Sequence, residues 1–267
     1  LRGYKHLKIP IIDSAGNPTW PELFPLEKIH ELEMIVGPRH FSAQMMLEYV
    51  ATERAHLDPG AINFYCEDFD SRFARIGEHE ISGVSLYWDP SSGRAKSDGS
   101  VCALVYRDDK NSTVFVHDML YTRVLDDELY PLANQCENVL AFMGKYGLNR
   151  IGIEINGIGN ALPEIIRNTA IKKHMPINIV QIANHTKKEI RILNAIEPVL
   201  TTGRLYMHEK VKQTMLLSEM LAWTPMGSNE HDDGLDALAG ALAMNPCPIR
   251  AINQRNQIIH ANTNFNL

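Results

Sequence analysis

The chain has no apolar run long enough to cross a bilayer and no charged-apolar-small pattern of a signal peptide, which predicts a soluble, intracellular protein. It lacks a GxxxxGK[ST] loop, since Gly144-Lys145 is followed by Tyr146, and this excludes a phosphate-binding loop for ATP. The segment NGIGNAL holds Gly-x-Gly without a third glycine, so it reads as a turn rather than a dinucleotide loop. Its four cysteines, Cys66, Cys102, Cys136 and Cys247, are scattered with no CxxC spacing. That excludes a zinc ribbon or dithiol redox site and predicts buried thiols in a reducing compartment. There is no internal repeat and no overall basic excess, the net charge being −6. What remains is a chain of 267 residues, 45% hydrophobic, able to bury one large core with or without an appendage.

Against that background the acids stand out by their setting. In Ile151-Gly152-Ile153-Glu154-Ile155-Asn156 the isoleucines alternate, so a strand places them on one face and Gly152, Glu154 and Asn156 on the other. In GVSLYWD, Val84, Leu86 and Trp88 share one face, and Ser85, Tyr87 and Asp89 the other. HDDGLDALAGALA reads as a helix with Leu235, Leu238 and Leu242 on one stripe, and with Asp233 and Asp236 on one face of its first turn. An isolated carboxylate on a core element is costly unless something pairs with it, and a divalent metal is a common partner. Each acid also has a plainer explanation. Asp89 precedes Pro90 and suits a turn, Glu154 suits an exposed sheet face, and Asp232 and Asp233 suit a helix start, as does His231.

The order of elements carries more than any single acid. A strand ending at Asp89, the turn Ser97-Asp98-Gly99, a strand over Val101 to Arg107 and another near Thr113 to Asp118 predict three consecutive antiparallel strands. A helix from Asp126 to Tyr146, the Glu154 strand, a helix near Leu162 to Lys173, a strand over Ile177 to Ile182 and the helix at Asp232/Asp233 follow. This is the order of an α/β, ribonuclease H-like fold, a mixed β-sheet flanked by helices. Between Ile165 and Met215, nine Lys/Arg face three acids. Lys187, Lys188, Arg191 and Arg204 are the DNA-backbone candidates in that stretch, whose alternative is a solvated helix face.

WDPSSGRAKSDGSVCALV, IEINGIG and HDDGLDALAGALA, with the flanking WPELFPLEKIHELEMIVGPRHFSAQMM and KKEIRILNAIEPVLTTGRLYMHE, resemble the C-terminal nuclease domain of the large terminase subunit of tailed bacteriophages. The likeness extends over nearly the whole chain. It implies a metal-dependent endonuclease that cuts concatemeric double-stranded DNA in the host cytoplasm. Its metal set would be Asp89, Glu154, Asp233 and Asp236, holding two Mg²⁺ or Mn²⁺ ions. Such a pair, roughly 3.5–4 Å apart, activates the attacking water and stabilises the leaving oxygen, and hard cations prefer oxygen ligands. The implied partners are the packaging ATPase domain, the small terminase subunit and the portal, with no membrane.

The expected organisation is a linker or appendage over residues 1–60, the nuclease domain over 61–245 and a mobile, asparagine-rich tail over 246–267. In the first region helices are expected over Leu26 to Val36 and Phe41 to Arg54, with Trp20 and Phe24 as packing residues. Leu1 in place of Met fits a fragment or a processed product. Two other functions suit the same features. A structure-selective resolvase of this fold would prefer four-way junctions, and a non-catalytic DNA-binding or docking module would bind no metal.

Overall fold

The computed structural model describes residues 7–48, 57–91, 99–122, 130–156, 161–225 and 232–251. Ten strands are found there: β1 (Asn63–Tyr65), β2 (Arg75–Ile76), β3 (His79–Glu80), β4 (Gly83–Asp89), β5 (Ser100–Asp108), β6 (Thr113–Thr122), β7 (Arg150–Glu154), β8 (Asn178–Ile182), β9 (Leu205–His208) and β10 (Cys247–Pro248). The helices are α1 (Leu26–Val36), α2 (Pro38–Gln44), α3 (Pro131–Lys145), α4 (Leu162–Lys172), α5 (Lys188–Thr201), α6 (Leu216–Ala222) and α7 (Asp233–Ala243).

The main sheet has the order β1-β9-β6-β5-β4-β7-β8, and β10 pairs with the start of β4. β4, β5 and β6 form the expected antiparallel meander, whereas β7 lies parallel to β4 and β8 parallel to β7. This is a ribonuclease H-like arrangement. The alternation read from the sequence assigns the faces correctly. Val84, Leu86, Trp88, Ile151 and Ile153 point into the core under α3 and α4, while Tyr87 belongs to the opposite core, which α5, α6 and α7 cover. Leu235 and Leu238 anchor α7 there by burying its apolar stripe.

Several expectations are corrected. α3 begins at Pro131 rather than Asp126: proline at the first helical position lacks the N–H that would be unpaired there, and Tyr130 already has a non-helical backbone. The second N-terminal helix starts at Pro38 and stops at Gln44, and Leu47 has the left-handed φ of 57°. Trp20 is 59% exposed and does not pack inside. Cys102 and Cys136 are buried thiols, but Cys66 is exposed and Cys247 is only partly covered. Cys247 and Pro248 join the sheet, beyond the expected boundary at residue 245. The sequence pattern missed β1 and β9, which extend the sheet past β6 by parallel pairing. Asp98, Asp126, His231, most of NGIGNAL and the asparagine-rich end lie outside the described residues.

Candidate metal centre

β4 and β7 run side by side in parallel, with Tyr87 opposite Gly152 and Trp88 opposite Ile153. Their last residues, Asp89 and Glu154, therefore emerge together at one edge of the sheet. α7 crosses the same face, and its close approach requires a glycine. A Cβ at Gly240 would overlap the Tyr87 ring, so the missing side chain lets the helix axis settle against β4. That seating brings Asp236, in the first turn of α7, over the strand ends. One ligand oxygen each from Asp89, Glu154 and Asp236 lies within 4.8 Å of the others.

Crowding with neighbouring acids adds to burial in raising the proton affinity of Asp89 and Asp236. Burial, then the charges of Asp236 and Glu154, push the Asp89 carboxyl well above its ordinary range, with Lys188 pulling it back. Asp236 is pushed up to about 6 by burial, against the opposing pull of Lys188 and Arg191. It is only 4% exposed, and its buried Oδ1 has no hydrogen-bond partner among the described residues. An unsatisfied oxygen on an acid that stands beside two others fits a cation site, because a hard divalent ion would satisfy it and reverse the local repulsion.

Asp233 stands outside this trio. Its Oδ2 accepts the Gly99 N–H at 2.7 Å, which ties the start of α7 to the start of β5, and its Oδ1 lies 3.7 Å from Lys188 Nζ. Asp232 is the residue before α7 and makes no side-chain cap bond; its Oδ1 instead pairs with Lys188 Nζ at 2.6 Å.

The four basic candidates separate in space. Lys188 and Arg191, three residues apart at the start of α5, turn towards the acids. Lys188 Nζ is also 3.8 Å from Asp236 Oδ2. Burial disfavours the Lys188 charge, but the Asp232 hydrogen bond and the Asp236 charge outweigh it and raise its pKa. Arg191 reaches Glu154 Oε2 at 3.2 Å and Asp236 Oδ2 at 2.8 Å. Lys187 is exposed at the residue before α5. Arg204 lies elsewhere: its guanidinium donates to Thr202 Oγ1 at 2.9 Å, to the Ser112 carbonyl at 3.1 Å and to the Met34 carbonyl. That geometry ties α1 to the sheet.

Glu154 is held by more groups than the sequence identified. Tyr87 Oη donates to its Oε2 at 2.7 Å, Asn184 Nδ2 donates to the same oxygen at 2.8 Å, and Asn156 Nδ2 donates to Oε1 at 2.9 Å. Tyr87 and Asn156 share the alternating face with Asp89 and Glu154, which is a legible signal. Asn184, two residues past β8, had none.

Residues 89–205 match the family model of the Terminase Bacteriophage T7, Ribonuclease H-like domain. No curated protein sequence matches the chain. Among solved structures, the P22 large terminase nuclease domain is 11% identical, with a TM-score of 0.47, 72% of this chain covered and 93% of that one. The nuclease domain of the large terminase subunit of bacterial virus Sf6, in a mutant form with manganese, is 10% identical with the same TM-score, 72% of this chain covered and 100% of that one. RuvC of T. thermophilus in complex with a Holliday junction substrate is 11% identical, with a TM-score of 0.35, 60% of this chain covered and 90% of that one.

Proposed function

We propose that this terminase-type, ribonuclease H-like domain is a metal-dependent DNA endonuclease that cuts concatemeric double-stranded DNA during viral genome packaging, in the host cytoplasm. Asp89, Glu154 and Asp236 are its metal-holding set, and the ions are two Mg²⁺ or Mn²⁺. The observation that carries this reading is the trio itself: three carboxylates from β4, β7 and α7 offer oxygens within 4.8 Å, and Asp236 also has a buried Oδ1 with no hydrogen-bond partner among the described residues. When bound, the ions supply activation of the attacking water and stabilisation of the leaving oxygen.

The protein's own groups do the positioning. Asp89 and Glu154 are carried by adjacent strands of a rigid sheet, so their spacing is set by backbone pairing. Asp236 is carried by a helix packed through Gly240 onto β4. Asp233 holds the beginning of β5 against α7 and so supports Asp89 from the strand beside it. Lys188 and Arg191 neutralise the acids and keep them in register. Lys187, exposed beside them, is the basic residue of the four best placed to meet a DNA phosphate. In a complete packaging machine the ATPase domain, the small subunit and the portal are the partners this reading implies.

The test is cleavage of supercoiled and linear duplex DNA in EDTA, Mg²⁺ and Mn²⁺, with Asp89→Ala prepared in parallel. Cutting that needs metal and is lost in the variant supports the assignment. Cutting in EDTA, or undiminished cutting by Asp89→Ala, overturns it. A strong preference for four-way junctions over linear duplex would move the reading to a resolvase.

A further inference from the structure

The Glu154 carboxylate is gripped unequally. Its Oε2 takes three donors: Tyr87 Oη at 2.7 Å, Asn184 Nδ2 at 2.8 Å and Arg191 Nη1 at 3.2 Å. Its Oε1 takes only Asn156 Nδ2, at 2.9 Å, among the described residues. A carboxylate has about four lone-pair sites, two on each oxygen. Oε2 is therefore saturated, and Oε1 keeps acceptor capacity.

The donors form a closed network. The two Asn184 amide hydrogens go to Glu154 Oε2 and, at 3.1 Å, to Tyr87 Oη. Tyr87 thus accepts from Asn184 while donating its own proton to Glu154. The two Asn156 amide hydrogens go to Glu154 Oε1 and, at 3.0 Å, to the Asn184 carbonyl. Neither amide has a hydrogen left over, so the three side chains define one orientation of the carboxylate. Burial, followed by the Glu154 charge, raises the Tyr87 pKa, and the phenol remains a donor at neutral pH. The Tyr87 ring is fixed by packing under Gly240. Both oxygens are engaged, but unequally: three donors meet Oε2 and one meets Oε1.

We propose that Tyr87, Asn156 and Asn184 are positioning residues of the metal centre, which engage Glu154 so that Oε1 is the oxygen it offers to a divalent ion. This rests on the metal-dependent reading above. Outer groups that orient a ligating carboxylate change metal affinity about 10–100-fold when removed. They do so without touching the ion.

The experiment is Mn²⁺ titration by calorimetry of the full chain, first stripped with EDTA, for wild type, Tyr87→Phe, Asn184→Ala, Asn156→Ala and Asp89→Ala. Thermal midpoints in EDTA are measured on the same samples. Tyr87→Phe keeps the packed ring and removes only the hydroxyl. The expected result is about tenfold weaker Mn²⁺ binding in Tyr87→Phe and Asn184→Ala, with metal-free thermal midpoints close to wild type. Asn156 is exposed, so Asn156→Ala serves as the informative variant should either of the others fail to fold. Wild-type binding matched by all the folded variants except Asp89→Ala overturns the positioning role and leaves the metal centre standing. No binding by wild type overturns both.

Discussion

Arg191 places its Nη2 2.8 Å from Asp236 Oδ2, joining the first turn of α5 to the first turn of α7 across the acid cluster. With Nη1 3.2 Å from Glu154 Oε2, the same guanidinium spans acids from two elements. It is a counter-charge built into the fold, and its removal leaves enclosed carboxylates to repel one another. Arg191→Ala is expected to lower stability by about 3 kcal/mol in EDTA, as breaking an enclosed ion pair does. Divalent metal should restore more stability to this variant than to wild type. Urea denaturation with and without Mn²⁺ measures both, and equal metal responses would refute the counter-charge role.

Asp233 and Asp236 are both in the first turn of α7 yet face different duties. Asp236→Asn should abolish high-affinity Mn²⁺ binding and cleavage. Asp233→Asn should retain Mn²⁺ binding and lose about 1–2 kcal/mol of stability, because its carboxylate holds the Gly99 N–H. Calorimetric titration of the pair decides between them. The reverse pattern would make Asp233 the metal-holding residue.

Gly240 lies where α7 meets the Tyr87 ring, with no room for a methyl group. Gly240→Ala is expected to destabilise the domain by about 1–3 kcal/mol through overpacking. A shift of the Tyr87 hydroxyl away from Glu154 should follow, read as weaker Mn²⁺ binding. An alanine variant as stable as wild type would show that the helix can move aside.

Glu219 is buried beneath the start of α7, where its Oε2 accepts the Leu235 N–H at 3.1 Å. Burial pushes its pKa from the ordinary 4.5 up to about 7. The unfolded chain therefore releases this proton before the folded one does. Its contribution is fully present below pH 4.5 and is lost as the pH rises to about 7, a loss on the order of 3 kcal/mol. Glu219→Gln should flatten this part of the stability profile in EDTA. An unchanged slope between wild type and variant would assign the effect to other groups.

The meander, the alternation of helix and strand from α3 to β8 and the two sheet faces were legible in the sequence because they rest on local periods, whereas α5, β9 and α6, between β8 and α7, were not. Alternation in GVSLYWD and RIGIE directs Asp89 and Glu154 to one side whatever the rest of the chain does. The stripe of Leu235 and Leu238 likewise directs α7 to the core. The start of α3 was misread because acids suggested a helix beginning that Pro131 places later.

Which first-turn aspartate joins the strand acids depended instead on how α7 seats on β4 through Gly240, a contact between segments far apart in the chain. The parallel pairing of β4 with β7, the convergence of Lys188 and Arg191 on the acids, the diversion of Arg204 to backbone carbonyls and the Asn184 hold on Glu154 have the same character. Which residue types share a face of each element follows from the local order of residues, because backbone geometry repeats every two residues in a strand and every 3.6 in a helix. Which of those faces meet, and at what distance, follows from the folded arrangement, because side-chain packing and charge pairing between distant segments have no period along the chain.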